Sequence, residues 1–123
     1  MICIWASENA QFLKKKRLPK GSRLVTGISI SASDKYICAS DAAEKITAYV
    51  FLLEGSETPI ASVLINMKVS HITWHPNAEE IFASVGKDHL MVCTFDGKSS
   101  IKSIKGKSKD TISYTTAAWL NDV

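Results

Sequence analysis

Apolar and polar residues alternate one by one through Ile28-Ser29-Ile30-Ser31, and again through Ile72-Thr73-Trp74-His75. A period of two sends successive side chains to opposite faces of a strand, and it does not fit a helix, whose stripe recurs every 3.6 residues. Tyr36-Ile37-Cys38-Ala39 and Ile81-Phe82-Ala83 are short unbroken apolar runs, the pattern of strands covered on both faces. Turn-forming residues separate these stretches at 32–35, 75–77, 86–88 and 96–98. No window carries a capped helical stripe. The pattern predicts an all-β chain with strands at 1–6, 10–18, 24–31, 35–41, 45–53, 58–66, 68–75, 80–86, 89–96, 99–105 and 112–120.

These strands repeat. Val25 to Ser33 (Val-Thr-Gly-Ile-Ser-Ile-Ser-Ala-Ser) aligns with Val69 to Asn77 (Val-Ser-His-Ile-Thr-Trp-His-Pro-Asn) at an offset of 44. Ile37 to Ser40 matches Ile81 to Ser84, and Ala48 to Phe51 matches Val92 to Phe95, both at the same offset. Ile2 to Trp5 precedes Ala48 to Phe51 by 46, and Tyr114 to Asp122 follows the Val69 segment by 45. A fixed period of this size marks a repeat architecture in which each unit is one supersecondary element. The units divide as 1–23, the end of one; 24–66 and 67–110, two complete; and 111–123, the start of another. A chain that begins and ends within a unit is expected to be a piece of a longer one.

Some of these residues resemble a known repeat. Ile4-Trp5-Ala6 and Thr94-Phe95-Asp96-Gly97 stand where the WD repeat has its Trp-Asp dipeptide, and Ser84-Val85-Gly86-Lys87-Asp88 looks like the segment before its inner turn. The resemblance implies a partial β-propeller, about two complete four-stranded antiparallel blades with partial blades at both ends. It also implies a buried hydrogen-bonding role for Asp88. The Gly-His dipeptide of the repeat is absent, and Glu44 replaces Asp in the earlier turn. Residues 72–90 with 93–97, and 28–51 before them, are similar to the propellers of the echinoderm microtubule-associated protein-like (EML) family. That likeness implies a microtubule-associated, non-catalytic scaffold for other proteins, tubulin among them. The alternative is a set of purely structural blades in another complex.

Composition narrows the chemistry. The chain has 123 residues, 46% of them hydrophobic and 22% charged, and no apolar run of the ~20 residues that a membrane helix needs. Three scattered cysteines, Cys3, Cys38 and Cys93, argue against a disulfide framework and for a reducing, cytoplasmic setting in which thiols act as core hydrophobes. His71 and His75 share a strand face about 13 Å apart, too far for one metal ion. These and His89 read as turn and strand-end residues. Cys93 lies in an apolar strand where a thiol is inert. Asp34, Asp41 and Glu44 lack calcium-loop spacing and read as exposed turn carboxylates. Lys20-Gly21-Ser22 lacks the rest of a phosphate loop. The reading is no enzyme, no metal, no cofactor, no small-molecule substrate and no membrane. Trp5, Tyr36, Phe51, Trp74, Phe82, Phe95 and Trp119 recur in register and are assigned to the core.

Charge is the one uneven feature. Net charge is +3, yet six of fifteen basic residues fall between Lys14 and Arg23 and five between Lys98 and Lys109, flanking a stretch with nine of the twelve acids. Lys14, Lys15, Lys16, Arg17 and Lys20 belong to one outer strand and its surroundings; Lys102, Lys105 and Lys107 belong to another. Lysine on an edge strand discourages edge-to-edge aggregation. The same lysines also form a basic rim able to steer an acidic partner. No aromatics are interleaved for stacking on bases, which disfavours nucleic acid. The uncharged outer strand between the clusters, Pro59 to Asn66, is a candidate contact with a second copy, and open edges are expected to let the isolated piece self-associate.

Overall fold

A computed structural model describes residues 1–21, 24–106 and 116–120. Among these the chain holds ten strands and no helix. Lys107, Lys109, Arg23 and residues 112–115 of the strand expected at 112–120 lie outside the described residues, and the remaining residues, 116–120, are not in a strand. The strands are β1 (Ile2–Trp5), β2 (Phe12–Lys16), β3 (Val25–Ile30), β4 (Tyr36–Asp41), β5 (Thr47–Leu52), β6 (Ala61–Leu64), β7 (Val69–Trp74), β8 (Ile81–Gly86), β9 (His89–Phe95) and β10 (Ile101–Lys105). They form a two-stranded sheet, β1–β2, and two four-stranded sheets, β3–β6 and β7–β10, each antiparallel with neighbours in chain order. The repeat extends to the irregularities. The register shifts between Val25 and Gly27 on β3, and 44 residues later between Val69 and His71 on β7.

Both apolar runs became the covered strands they predict. All six residues of β4 are buried, and five of six on β8. Alternate side chains of β4 and β5 serve different neighbours. Ile37, Ala39 and Phe51 pack with Ile2 of the two-stranded sheet. Cys38, Ala48 and Val50 pack with Ile72, Trp74, Phe82, Cys93 and Phe95 of the third sheet. Tyr36 stacks on Trp74 with ring centroids 5.9 Å apart and meets Phe95 edge-on at 5.2 Å. Burying such aromatic side chains contributes most of the apolar area that holds sheet on sheet.

The inner strands β3 and β7 approach through small groups. Ser29 Oγ accepts from the Trp74 backbone N–H at 2.9 Å, and a Cβ on Gly27 would lie 2.9 Å from Ile72 Cγ2. The alternation on β3 is therefore read with its polar side inward. Ser31 is buried, whereas Ile28 and Ile30 are half exposed, because β1–β2 packs on β4 and β5 and leaves them open. Gly86 is the tightest point, since a Cβ there would sit 1.8 Å from the Lys68 carbonyl oxygen.

Several expectations need correction. Cys3 is exposed, unlike Cys38 and Cys93, because it sits on the face of β1 opposite the one that carries Ile2 into the core. Trp5 is 58% exposed for a related reason: the register shifts between Ile4 and Trp5, and the indole meets Phe12 edge-on at 5.3 Å. Trp119 is half-buried, packing on His75 and donating from Nε1 to Thr73 O at 3.3 Å.

The roles of two aspartates are exchanged. Asp88 is exposed at the tip of a two-residue turn, at φ +59°, because Gly86 and His89 pair directly on either side of it. Asp41, expected as an exposed turn carboxylate, is buried. It closes the longer turn of its sheet, accepting from the Thr47 N–H at 3.0 Å and the Tyr49 hydroxyl at 3.3 Å. The short turn at Lys87-Asp88 offers no such N–H to collect, and Val85 stands at the matching position.

Candidate functional site

The first basic cluster rides on β2, whose pairing with β1 sets Lys16 opposite Ile2 and Lys14 opposite Ile4. Partners across an antiparallel pair share a face. Ile2 is buried against β4 and β5, so Lys14 and Lys16 turn inward with it, toward the turn between β5 and β6. That turn carries Glu54-Gly55-Ser56-Glu57. Lys14 forms an ion pair with Glu54, and Arg17 Nε meets a Glu57 carboxylate oxygen at 3.0 Å. The Arg17 backbone N–H also donates to Glu57 O at 2.7 Å. Between them Lys16 is 1% exposed, and its Nζ donates to the carbonyls of Gly55 at 3.2 Å and Ser56 at 2.9 Å.

Lys16 therefore cannot belong to a solvent-facing rim, and the reading of it as a partner-binding residue is corrected. Its long apolar stem reaches across the sheet interface and its ammonium is satisfied by main-chain oxygens. Burial lowers its pKa, Lys14 lowers it further, and Glu54 and Glu57 oppose the shift. The Glu54 carboxyl is held below its usual range by the hydrogen bond and charge of Lys14. Exposed ion pairs contribute only about 0–1 kcal/mol. The buried Lys16, with two charge-assisted bonds of roughly 1.5–3 kcal/mol each, is the stronger fastening. Of this cluster Lys15 is half-buried and Lys20 exposed, and neither has an ion-pair partner among the described residues.

The second cluster stands differently. Among the described residues β10 pairs with β9 alone. Lys102 and Lys105 are exposed on it, Ile104 between them is 74% exposed, and Lys98 is exposed in the turn before. Among the described residues none of these cations has a carboxylate partner. Asp96, the nearest acid in sequence, accepts the backbone N–H groups of Lys98, Ser99 and Ser100 at 2.8–3.0 Å. Those amides, Ser100 foremost, hold its carboxyl below the ordinary value. The two clusters lie on the first and third sheets, and Pro19, beside Lys20, and Ser99, beside Lys98, line one hollow over β6. The uncharged β6 lies between them in the sheet series and touches β10.

Several residues with chemical potential elsewhere are buried or hydrogen-bonded, whereas the Cys3 thiol is exposed. Burial raises the thiols of Cys38 and Cys93, the latter to about 12. Glu79 accepts from the backbone N–H of Ser33 at 3.0 Å and from its hydroxyl at 2.6 Å, bonds that hold its carboxyl down. His75 Nδ1 accepts two backbone N–H groups, of Asn77 and Ala78, each at 3.0 Å. His89 is buried beside Ser84, with its Nε2 3.5 Å from the hydroxyl, and burial lowers its pKa. Sequence reasoning missed Glu54 and Glu57 as partners. Their spacing of three, equal to that of Lys14 and Arg17, was the available signal.

No family model matches the sequence, and no curated protein matches it. Among solved structures the chain is similar to the β-propeller domain of Cps50 (Swd1) from Myceliophteria thermophila, with a TM-score of 0.67 and 18% sequence identity. The likeness covers 84% of this chain and 31% of that one, so the chain spans about a third of the propeller it matches. At that identity the shared property is the arrangement of strands. The chain has the fold of successive β-propeller blades.

Proposed function

We propose that this chain is a non-catalytic protein-interaction scaffold, made of WD-repeat blades, whose basic outer strand β10 receives an acidic partner. The observation that carries the reading is the contrast in charge satisfaction: Lys102 and Lys105 are exposed and unpaired among the described residues, whereas Lys14 and Arg17 each meet a carboxylate. Fixed, uncompensated cations on a rigid sheet edge steer acidic surfaces and weaken as salt rises.

The finer reading is microtubule association in the cytoplasm, as part of an EML-like protein. The EML-like residues at 72–90 and 93–97 and the acidic character of tubulin support it. The purely structural reading has its own support in the first cluster, where Lys14, Lys16 and Arg17 are spent on holding one sheet to the next. Co-sedimentation of the chain with stabilised microtubules over a salt series tests the microtubule reading. Pelleting at low salt that fades as salt rises is expected; no pelleting at low salt overturns it.

A further inference from the structure

The turn that fastens the second sheet to the first has a counterpart on the third sheet with its charge reversed. Glu54, in the turn between β5 and β6, meets Lys14 of the preceding outer strand. Lys98, in the turn between β9 and β10, stands 44 residues after Glu54. The preceding outer strand is now β6, which offers Ala61 where β2 offers Lys14. Lys14 lies opposite Ile4, Ala61 lies opposite Val50, and the sequence repeat aligns Ile4 with Val50. Lys98 is exposed and has no carboxylate partner among the described residues. Half of an ion pair is present without its other half.

Ala61 also lines a hollow of about 260 Å³, together with Pro19, Tyr49, Pro59, Ile60, Ser62 and Ser99. Pro19 follows β2 and Ser99 precedes β10, so residues of this chain bound the hollow from the sheets on both sides of β6. Lys20, next to Pro19, is exposed and without an acid among the described residues, as Lys98 is next to Ser99. The acids closest in sequence are taken. Glu57 meets Arg17, and Asp96 accepts three amides of its own turn. The lining itself holds no carboxylate, and Ser62 and Ser99 present exposed hydroxyls.

We propose that the hollow over β6 seats a short acidic segment of a partner protein. Its apolar middle rests on Pro19, Tyr49, Pro59 and Ile60, and its carboxylates meet Lys20 on one side and Lys98 on the other, with Ser62 and Ser99 donating to them. The proposal rests on the scaffold reading above for the kind of partner, and it gives that partner a seat on the middle sheet. The volume lies below the roughly 300–1,000 Å³ of small-molecule sites and suits one or two side chains. A second copy fits poorly, since it would bring the same cations to the contact. Pro19 and Pro59 also lack the N–H groups that pairing along a strand edge would use. A nucleic acid fits poorly too. Tyr49, the aromatic of the lining, is half-buried against Ile37 and Phe51 with its hydroxyl held by Asp41, a poor platform for a base.

The test uses the full chain and a fluorescent peptide, Glu-Glu-Leu-Ala-Glu-Glu, followed by anisotropy. Saturable binding that weakens as salt rises is expected. Lys20→Glu with Lys98→Glu should weaken it about tenfold, and Ser62→Tyr, which fills the hollow without changing its charge, should weaken it as well. Lys102→Glu with Lys105→Glu should leave it unchanged, and a Gln-Gln-Leu-Ala-Gln-Gln peptide should not bind. The Lys20 and Lys98 variant should in turn take up Lys-Lys-Leu-Ala-Lys-Lys, a gain that a misfolded chain could not show. No saturable binding, equal binding by that variant, or tighter binding of a single-stranded oligonucleotide of equal charge would overturn the proposal. So would self-association that Ser62→Tyr abolishes, which would give the hollow to a second copy. Binding lost only with Lys102 and Lys105 removes this seat and leaves the β10 reading standing. Peptide binding at the hollow without microtubule pelleting upholds the seat and removes the microtubule reading.

Discussion

β2 and β10 are both outer strands that carry cations, Lys14 opposite Ile4 on one and Lys102 opposite Thr94 on the other, yet the cations of the first meet carboxylates and those of the second meet none among the described residues. The difference arises not from the lysines but from what faces them. β2 is followed by a sheet whose turn holds Glu54 and Glu57, and its central position is a lysine long enough to reach two carbonyls. β10 meets no such turn among the described residues, and an isoleucine takes the central position. A basic strand is thus not a function in itself. Its meaning depends on whether the fold brings carboxylates to it.

The sharpest way to break this comparison is to truncate the two central positions. Lys16→Ala should cost about 3 kcal/mol of stability in urea melts, through the lost packing of its stem and two carbonyls left without a donor. Ile104→Ala, at the equivalent place on an open strand, should stay within about 0.5 kcal/mol. Equal losses would show that the strands are alike after all.

Thiol labelling sharpens where the damage falls. Cys3 should react with a thiol reagent in the folded chain, whereas Cys38 and Cys93, buried between the second and third sheets, should stay protected. If Lys16 fastens only the first sheet to the second, Lys16→Ala should leave that protection nearly intact. Rapid labelling of Cys93 in the variant would mean that the sheets open together.

A smaller effect separates the ion pairs from the buried lysine. Glu54→Gln with Glu57→Gln should lower the melting temperature less than Lys16→Ala does, and the loss should shrink in high salt. A salt-independent loss would locate the effect in packing.

The smallest expected effects lie in pH. Burial depresses His89 below its ordinary 6.5, so the folded chain resists a proton that the unfolded chain accepts, and stability should fall as pH drops below about 6.5. Glu54 is depressed below 4.5, and its contribution should persist above that value and vanish as pH falls through its folded pKa. Two acid steps are expected in a melting series, with His89→Leu erasing the upper and Glu54→Gln reducing the lower, which Glu79 and Asp96 share. A single step unaffected by either change would show that neither group controls acid sensitivity.

Much of the fold was legible because strand period and repeat offset are local signals. The strands expected at 24–31 and 68–75 are β3 at Val25–Ile30 and β7 at Val69–Trp74, trimmed by a residue at each end. The site was legible only in part. A run of lysines reads as a solvated edge because charge usually stays in water, and nothing near Lys16 announces the turn forty residues away that buries it. Asp88 and Asp41 exchanged roles through turn length, which the pattern of apolar residues does not encode. Ile28 and Ile30 marked their strand correctly but not its inward face, which was settled by the close approach of β3 to β7.

The strand β4, buried along its whole length, has a consequence for anyone who would recombine this chain. Ile37 belongs to one seam and Cys38 to the next, so a cut made between sheets severs a matched set of surfaces, whereas a cut through the middle of a sheet preserves one. The transferable module is the seam with its two half-sheets. Chimeras spliced within β3–β6 should therefore inherit a native junction that chimeras spliced at sheet boundaries would have to rebuild.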